Sequence, residues 1–219
     1  MICFVRHGRT PTTGKVLPGR ARGLHLSEEG QSDARAAAER LVDVAPAMVY
    51  ASPLERTRET AKIIARRLAC GVVLERGLLE CDFGQWTGKE LSELAKLPEW
   101  SMVQHHPSGF RFPDGESFAE LRARVAGTVE RLVERHPGQV IVAVSHADPI
   151  KIAIGDALGQ PLDLVQRLNV APCSLSVVSY GDGAPVVMAT SSTADLASLG
   201  LRKSTGAPTS PSPQGGPGR

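Results

Sequence analysis

The run Gln139-Val140-Ile141-Val142-Ala143-Val144 constrains this chain more than any other stretch of it. Its nearly continuous apolar character leaves no polar face, which is the pattern of a central strand in a parallel sheet, buried on both sides. Such a strand needs helices over both faces. The rest of the chain supplies them in alternation. Ile2-Cys3-Phe4-Val5 and Ala47-Met48-Val49-Tyr50-Ala51 read as strands, and Val72 to Glu75 as a short one. Ser27 can cap a helix to about residue 44, with Ala34, Ala38, Leu41 and Val42 on one face. Ser52 reads as the N-cap of the next helix, with Pro53 at its first position and Glu55 completing a capping box. That helix should run to about Ala69. A short helix is expected near Lys89–Leu97, a long amphipathic one over about 116–136, and another opening at Asp148-Pro149.

Residues 98–115, with Pro107, Pro113 and several Gly, read as irregular, and 161–168 as weakly helical. Ser174–Tyr180 and Pro185–Thr190 flank Gly181-Asp182-Gly183, a hairpin signal. The expected fold class is α/β: a three-layer sandwich with a mostly parallel central sheet flanked by helices, the C-terminal hairpin giving an antiparallel edge. Residues 1–200 are expected to form one domain, with 81–115 as a lid or substrate loop. Residues 201–219, rich in Ser, Thr, Pro and Gly, are expected to be a disordered tail.

Composition removes several functions. A net charge of +2 gives little electrostatic grip on nucleic acid, and 4% aromatic residues leave little for base stacking. No apolar run approaches the ~20 residues of a membrane span. Cys3, Cys70, Cys81 and Cys173 are scattered, with no C-x-x-C pair to suggest zinc. No targeting segment precedes the first strand, so a cytoplasmic, reduced setting is expected.

In parallel sheets, ligands bind beyond the carboxyl ends of the strands. Three strands here end in notable polar groups: Arg6-His7 before Gly8, Ser52 with the helix bearing Arg56, and Ser145-His146. If these strands are neighbours, the groups meet at one sheet edge. A guanidinium beside imidazoles at such an edge suits an anionic ligand, phosphate first. Taken singly, Arg56 could be a solvated helix charge paired with Glu59 or Thr60, and His146 a structural strand end.

Five ordered motifs resemble those of the histidine phosphatase superfamily, also called phosphoglycerate mutase-like. They are Arg6-His7-Gly8 with Thr10, Ser52 to Thr60, Leu79 to Gly88, Pro113-Asp114-Gly115-Glu116-Ser117, and Ser145-His146. The resemblance covers residues 1 to about 190. It implies that His7 is a nucleophile forming a phosphohistidine, its other ring N–H held by a backbone carbonyl in the Gly8 turn. It implies that Arg6, Arg56, His146 and Thr13 hold the phosphate, and that Glu80 is the general acid, with Asp82 the competing carboxylate. Thr13 stands where many members have Asn, and Ala147-Asp148 follows the second histidine where Gly is common. Asp148 is expected to be a helix cap.

No metal and no other cofactor are expected, and His105-His106 on an irregular loop point apart. The modest segment between Glu80 and His146 leaves an open site, which favours hydrolysis of a small organic phosphate ester over the phosphomutase alternative. A non-catalytic phospho-ligand binding protein is the alternative from another class. The last hairpin is a candidate edge for a homodimer.

Overall fold

A computed structural model describes residues 1–194. The expected tail, 201–219, and the end of the expected domain lie outside the described residues. In chain order the elements are β1 (Ile2–Arg6), α1 (Glu28–Arg40), β2 (Met48–Ala51), α2 (Glu55–Leu68), β3 (Val72–Leu74), α3 (Leu91–Leu94), α4 (Pro98–His105), α5 (Phe118–Arg135), β4 (Ile141–Ser145), α6 (Ala147–Ala157), β5 (Leu175–Ser179) and β6 (Val186–Ser192).

The sheet order is β3-β2-β4-β1-β5-β6. All five residues of β4 are buried, and it lies between β2 and β1, parallel to both. The apolar run is thus the centre of the sheet. β5 is antiparallel to β1, and β6 to β5, giving the antiparallel edge. The pleat sends alternate residues to two cores. Ile2, Phe4, Tyr50, Ile141 and Ala143 face α5, α6 and the aromatic residues of 83–118. Cys3, Val5, Val49, Ala51, Val142 and Val144 face α1 and α2. No helix among the described residues is long and apolar enough to cross a membrane.

Two local expectations are corrected. Ser52 is not the cap of α2: Leu54, in extended conformation (φ −73°, ψ 151°), holds the N-cap position, and the helix starts at Glu55. Ser52 directly follows β2 instead, its carbonyl accepting from Thr57 Oγ1 at 2.8 Å. Nor is 98–115 irregular. Pro98 starts α4, where a missing N–H costs nothing, and Val103 anchors the helix on the core. The later prolines and glycines masked that start. A 3₁₀ turn at Pro107–Gly109 follows. Trp86 packs against Trp100, Phe110 and Phe112 at centroid separations of 6.1, 5.6 and 5.3 Å, which fastens this segment over one face of the sheet.

Candidate active site

Register brings the strand ends together. Arg6 pairs with Ser145 across β1 and β4, and Ala51 with Val144 across β2 and β4. The ladder continues one step, His7 N–H donating to Ser145 O and Ser52 N–H to Val144 O, both at 3.0 Å. His7, Ser52 and His146 therefore leave the sheet at the same edge. Gly8 is there for a close approach: a Cβ would lie 2.4 Å from Gly30 O of α1. It is this helix backbone, rather than a left-handed turn, that demands glycine.

The two imidazoles stand edge to face, ring centroids 5.2 Å apart. Arg56, with no exposed surface, lies between them, so it is no solvated helix charge. Its Nε donates to His7 Nε2 at 3.2 Å. Its Nη2 donates to Gly19 O at 2.7 Å and to His146 Nδ1 at 3.2 Å. A guanidinium only donates, so both ring nitrogens facing it are acceptors. The opposite nitrogens carry the protons: His7 Nδ1 donates to Gly8 O and His146 Nε2 to Ser52 Oγ, each at 2.8 Å. Burial, then Arg56, holds both imidazoles well below their ordinary pKa, with Arg6 adding to the effect. They are neutral, and His7 presents its lone pair at Nε2.

Arg6 comes from β1, its Nη1 donating to Val170 O at 2.7 Å. Arg6 Nε and Arg56 Nη1 are buried and have no hydrogen-bond partner among the described residues. Buried donors without acceptors are costly, and an anion with several oxygens fits both. Thr13 is in the loop after β1, its Oγ1 accepting from Thr10 N–H at 2.8 Å.

Glu80 is almost fully buried, its Oε1 accepting from Cys81 N–H at 3.0 Å. Burial, reinforced by the charge of Asp148, raises its pKa to about 7 against the opposing pull of Arg56 and Arg6. Asp82 is different: it is half-exposed and paired with Arg20 at 3.2 Å. Of the two carboxyls, Glu80 is thus the buried one whose charge interacts with Arg56 and Arg6.

Three further residues shape this site: Arg124 was not singled out from the sequence, and Ser145 and Glu116 were named only as members of their motifs, without these roles. Ser145 Oγ donates to Leu78 O at 2.7 Å and fixes the loop before Glu80 to the end of β4. Arg124 of α5 donates to Gly77 O at 2.8 Å and to Leu79 O at 2.9 Å, while Glu116 accepts from both Arg124 and Arg20. Glu116 belongs to the fourth motif, which is where a signal for this network existed. Asp148 does not cap α6. His146 holds that position, without a side-chain bond, and Asp148 pairs with Lys151 at 3.2 Å. His105 and His106 are exposed, and no group of three or more His, Cys, Asp or Glu among the described residues could hold a metal ion.

The family description "Histidine phosphatase superfamily (branch 1)" matches residues 2–193, and the chain belongs to that superfamily. It is 31% identical over 182 residues to a "Probable phosphoglycerate mutase GpmB" from Cronobacter sakazakii, covering 82% of this chain and 84% of the relative. It is 34% identical over 195 residues to a bifunctional protein of Mycobacterium tuberculosis, covering 85% of this chain; there the match spans about half (52%) of the relative's length. Among solved structures, a phosphoserine phosphatase variant from Entamoeba histolytica in complex with phosphoserine superposes with a TM-score of 0.79 at 26% identity, covering 89% of this chain and 98% of that one. The proteins it resembles thus include both a phosphatase and a probable mutase.

Proposed function

We propose that the protein is a phosphomonoester hydrolase that works through a phosphohistidine on His7, without a metal, on a small organic phosphate. The observation that carries this is the commitment of His7 Nδ1–H to Gly8 O, which leaves the lone pair on Nε2 inside a cage of Arg6 and Arg56. On binding, the phosphate oxygens accept from the unpartnered Arg6 Nε and Arg56 Nη1 and from the Thr13 hydroxyl; His146, whose one N–H is committed to Ser52 Oγ, joins them as a donor by taking a proton on Nδ1 when the anion enters. Fixed positive charge and alignment are what phosphoryl transfer chiefly needs, and two guanidiniums supply both.

His7 Nε2 attacks phosphorus. The N–P bond forms as the ester P–O bond breaks, and Glu80 gives its proton to the leaving oxygen. A pKa near 7 leaves Glu80 able to hold that proton and then to act as a base. In the second half-reaction Glu80 carboxylate takes a proton from water, the water oxygen attacks phosphorus, and the N–P bond breaks. Inorganic phosphate leaves, and Glu80 is again protonated. The segment over the site consists of α3, α4 and short turns rather than a large insertion, which supports access of water. The four unpaired cysteines suit a reducing cytoplasm.

The mutase reading is favoured by the GpmB relative. The test is to incubate the protein with a bisphosphate donor, with chelator present, and follow masses over time. Rapid release of phosphate, with a transient phosphorylated protein absent in His7→Ala, supports the hydrolase. Transfer of the phosphoryl group to a monophosphate acceptor supports the mutase. Activity that disappears with chelator overturns the metal-free step.

A further inference from the structure

Glu80 lies in neither a strand nor a helix. Among the described residues its carboxyl has one hydrogen bond, from the N–H of the adjacent Cys81. What holds it is the backbone around it. Four successive carbonyls there accept from side chains rather than from other backbone. Arg124 Nη1 donates to Gly77 O and Leu79 O, Ser145 Oγ to Leu78 O, and Arg20 Nε to Glu80 O at 2.9 Å. Beyond Glu80, Asp82 N–H donates to Glu116 Oε2 at 3.1 Å, and Asp82 O accepts from Glu116 N–H at 2.8 Å. Residues 77–82 are therefore fastened on both sides of Glu80, by side chains where a strand would use its ladder.

Glu116 is where these bonds meet. Its Oε1 accepts from Arg124 Nε at 2.8 Å, and its Oε2 from Arg124 Nη2 at 2.8 Å and Arg20 Nη2 at 3.0 Å. The Arg124 pair is bidentate, which fixes direction as well as distance. Burial opposes its charge, but Arg124 and then Arg20 hold its carboxyl below the ordinary value, so it is ionised. Arg20 has all three guanidinium nitrogens engaged, on Glu80 O, Asp82 Oδ2 and Glu116 Oε2. Its neighbour Gly19 turns its carbonyl to Arg56 Nη2. Two adjacent residues of one loop thus touch the phosphate cage on one side and the segment bearing Glu80 on the other.

Resting on the hydrolase reading above, we propose that Glu116, acting through Arg20 and Arg124, is a positioning residue that holds the Glu80 carboxyl at the leaving oxygen and away from bulk water. A displacement of about 1 Å at a reacting group can cost 10²-fold. Burial is also the chief cause of the raised pKa of Glu80, so the residues that keep it buried set its protonation.

The test measures kcat/KM from about pH 5 to 9 for two esters. One is p-nitrophenyl phosphate, whose leaving group needs little help from an acid. The other is an alkyl ester, the fastest of phosphoserine, 3-phosphoglycerate and a hexose 6-phosphate. Glu116→Gln keeps the size and one acceptor oxygen but sets an amide N–H against the guanidinium donors. It should lower the alkyl ester by about 10- to 100-fold and p-nitrophenyl phosphate by much less. With Glu80 loosened toward water, the alkaline limb near 7 should move to lower pH. Arg20→Lys keeps the charge but cannot reach three acceptors at once. It should shift the ratio and the limb the same way by about threefold or more, and there a moved limb reports placement rather than lost charge. A folded Glu116→Gln in which both esters fall alike and the limb stays put overturns the inference and leaves the hydrolase intact, whatever its melt shows. If Glu116→Gln does not fold, the same result in Arg20→Lys overturns it. A wild type that fails to hydrolyse even p-nitrophenyl phosphate overturns the hydrolase reading, and this inference with it.

Discussion

His7, Ser52 and His146 each follow directly on a buried parallel strand, whereas a cavity beside them is walled by α4, the first turns of α6 and the turn at Leu162–Arg167. The difference is one of constraint. At the strand ends, backbone ladders and side-chain bonds fix each ring and guanidinium, and all three polar side chains in that edge are nearly inaccessible. The cavity wall has fewer such ties: Trp100 is partly exposed, and Arg167 and Asn169 at its mouth are exposed. A cage held by the sheet can carry an invariant chemistry, while a wall held by helices and turns can be altered without moving it. If this division is right, substitutions in the cage should cost turnover on every ester, and those in the wall should change the order of substrates.

The largest effect belongs to His7. Removing the nucleophile in His7→Ala should lower kcat by roughly 10⁴-fold or more for all esters alike. Residual turnover near wild type for even one ester, measured by phosphate release, would show that the cage does not act through a phosphohistidine there.

Glu80→Gln comes next, with a loss of about 10²- to 10⁴-fold for esters with poor leaving groups and less for p-nitrophenyl phosphate. Its pH dependence follows from the carboxyl raised to about 7. The first half-reaction needs Glu80 protonated, so kcat/KM should fall as pH rises through about 7, and Glu80→Gln should lack that limb. His7, held neutral by burial and Arg56, should contribute no acidic limb near 6.5. Stability moves in the same direction. The folded protein retains a proton that the unfolded chain releases near 4.5, so wild type should lose stability as pH rises from about 4.5 through about 7. Glu80→Gln should not, and denaturant melts at pH 5 and pH 8 would reveal the difference.

How much of this was readable before the fold was known differs between the same two regions. Arg6-His7 and Ser145-His146 stood out because each interrupts a run of apolar residues, and a period-2 or continuous apolar pattern reports a strand directly. Arg56 was ambiguous, since a charge in a helix is usually solvated; only the approach of Gly19 O and both rings shows it buried. Ser52 was misassigned because Ser-Pro before a Glu has the form of a cap, while its true partner, His146, is 94 residues away. Ser145 and Arg124 act on the carbonyls of Leu78, Gly77 and Leu79, and backbone acceptors leave no mark in a sequence. Asp148, directly before Pro149, has the form of a cap; its partner Lys151 is three residues on in the same helix, a spacing the sequence does carry, while its place in the cavity lining is defined by packing.

Ser52 offers a sharper test of how far the cage extends. Its Oγ accepts from His146 Nε2 and so fixes which nitrogen of that ring faces Arg56. Ser52→Ala leaves a buried N–H without its partner, a loss worth about 1–3 kcal/mol. As a positioning residue it should lower kcat by roughly tenfold with little change in KM, equally across esters. Substrate-dependent losses would mean that the line between cage and wall has been drawn in the wrong place.

The smallest effect is expected at Thr13, which sits at the margin between the two regions. Its hydroxyl already accepts from Thr10 N–H at 2.8 Å and lies 3.1 Å from Thr10 Oγ1, so only its proton is free to reach a phosphate oxygen. One neutral donor to a charged oxygen is worth on the order of 1 kcal/mol, against two guanidiniums already in place. Thr13→Val should therefore raise KM about fivefold for every ester and leave kcat nearly unchanged. It removes the Thr10 contact as well, so a melt shifted without any change in KM would assign Thr13 to the turn rather than to the phosphate. A KM that rises for one ester and not for another would place Thr13 with the wall that reads the leaving group.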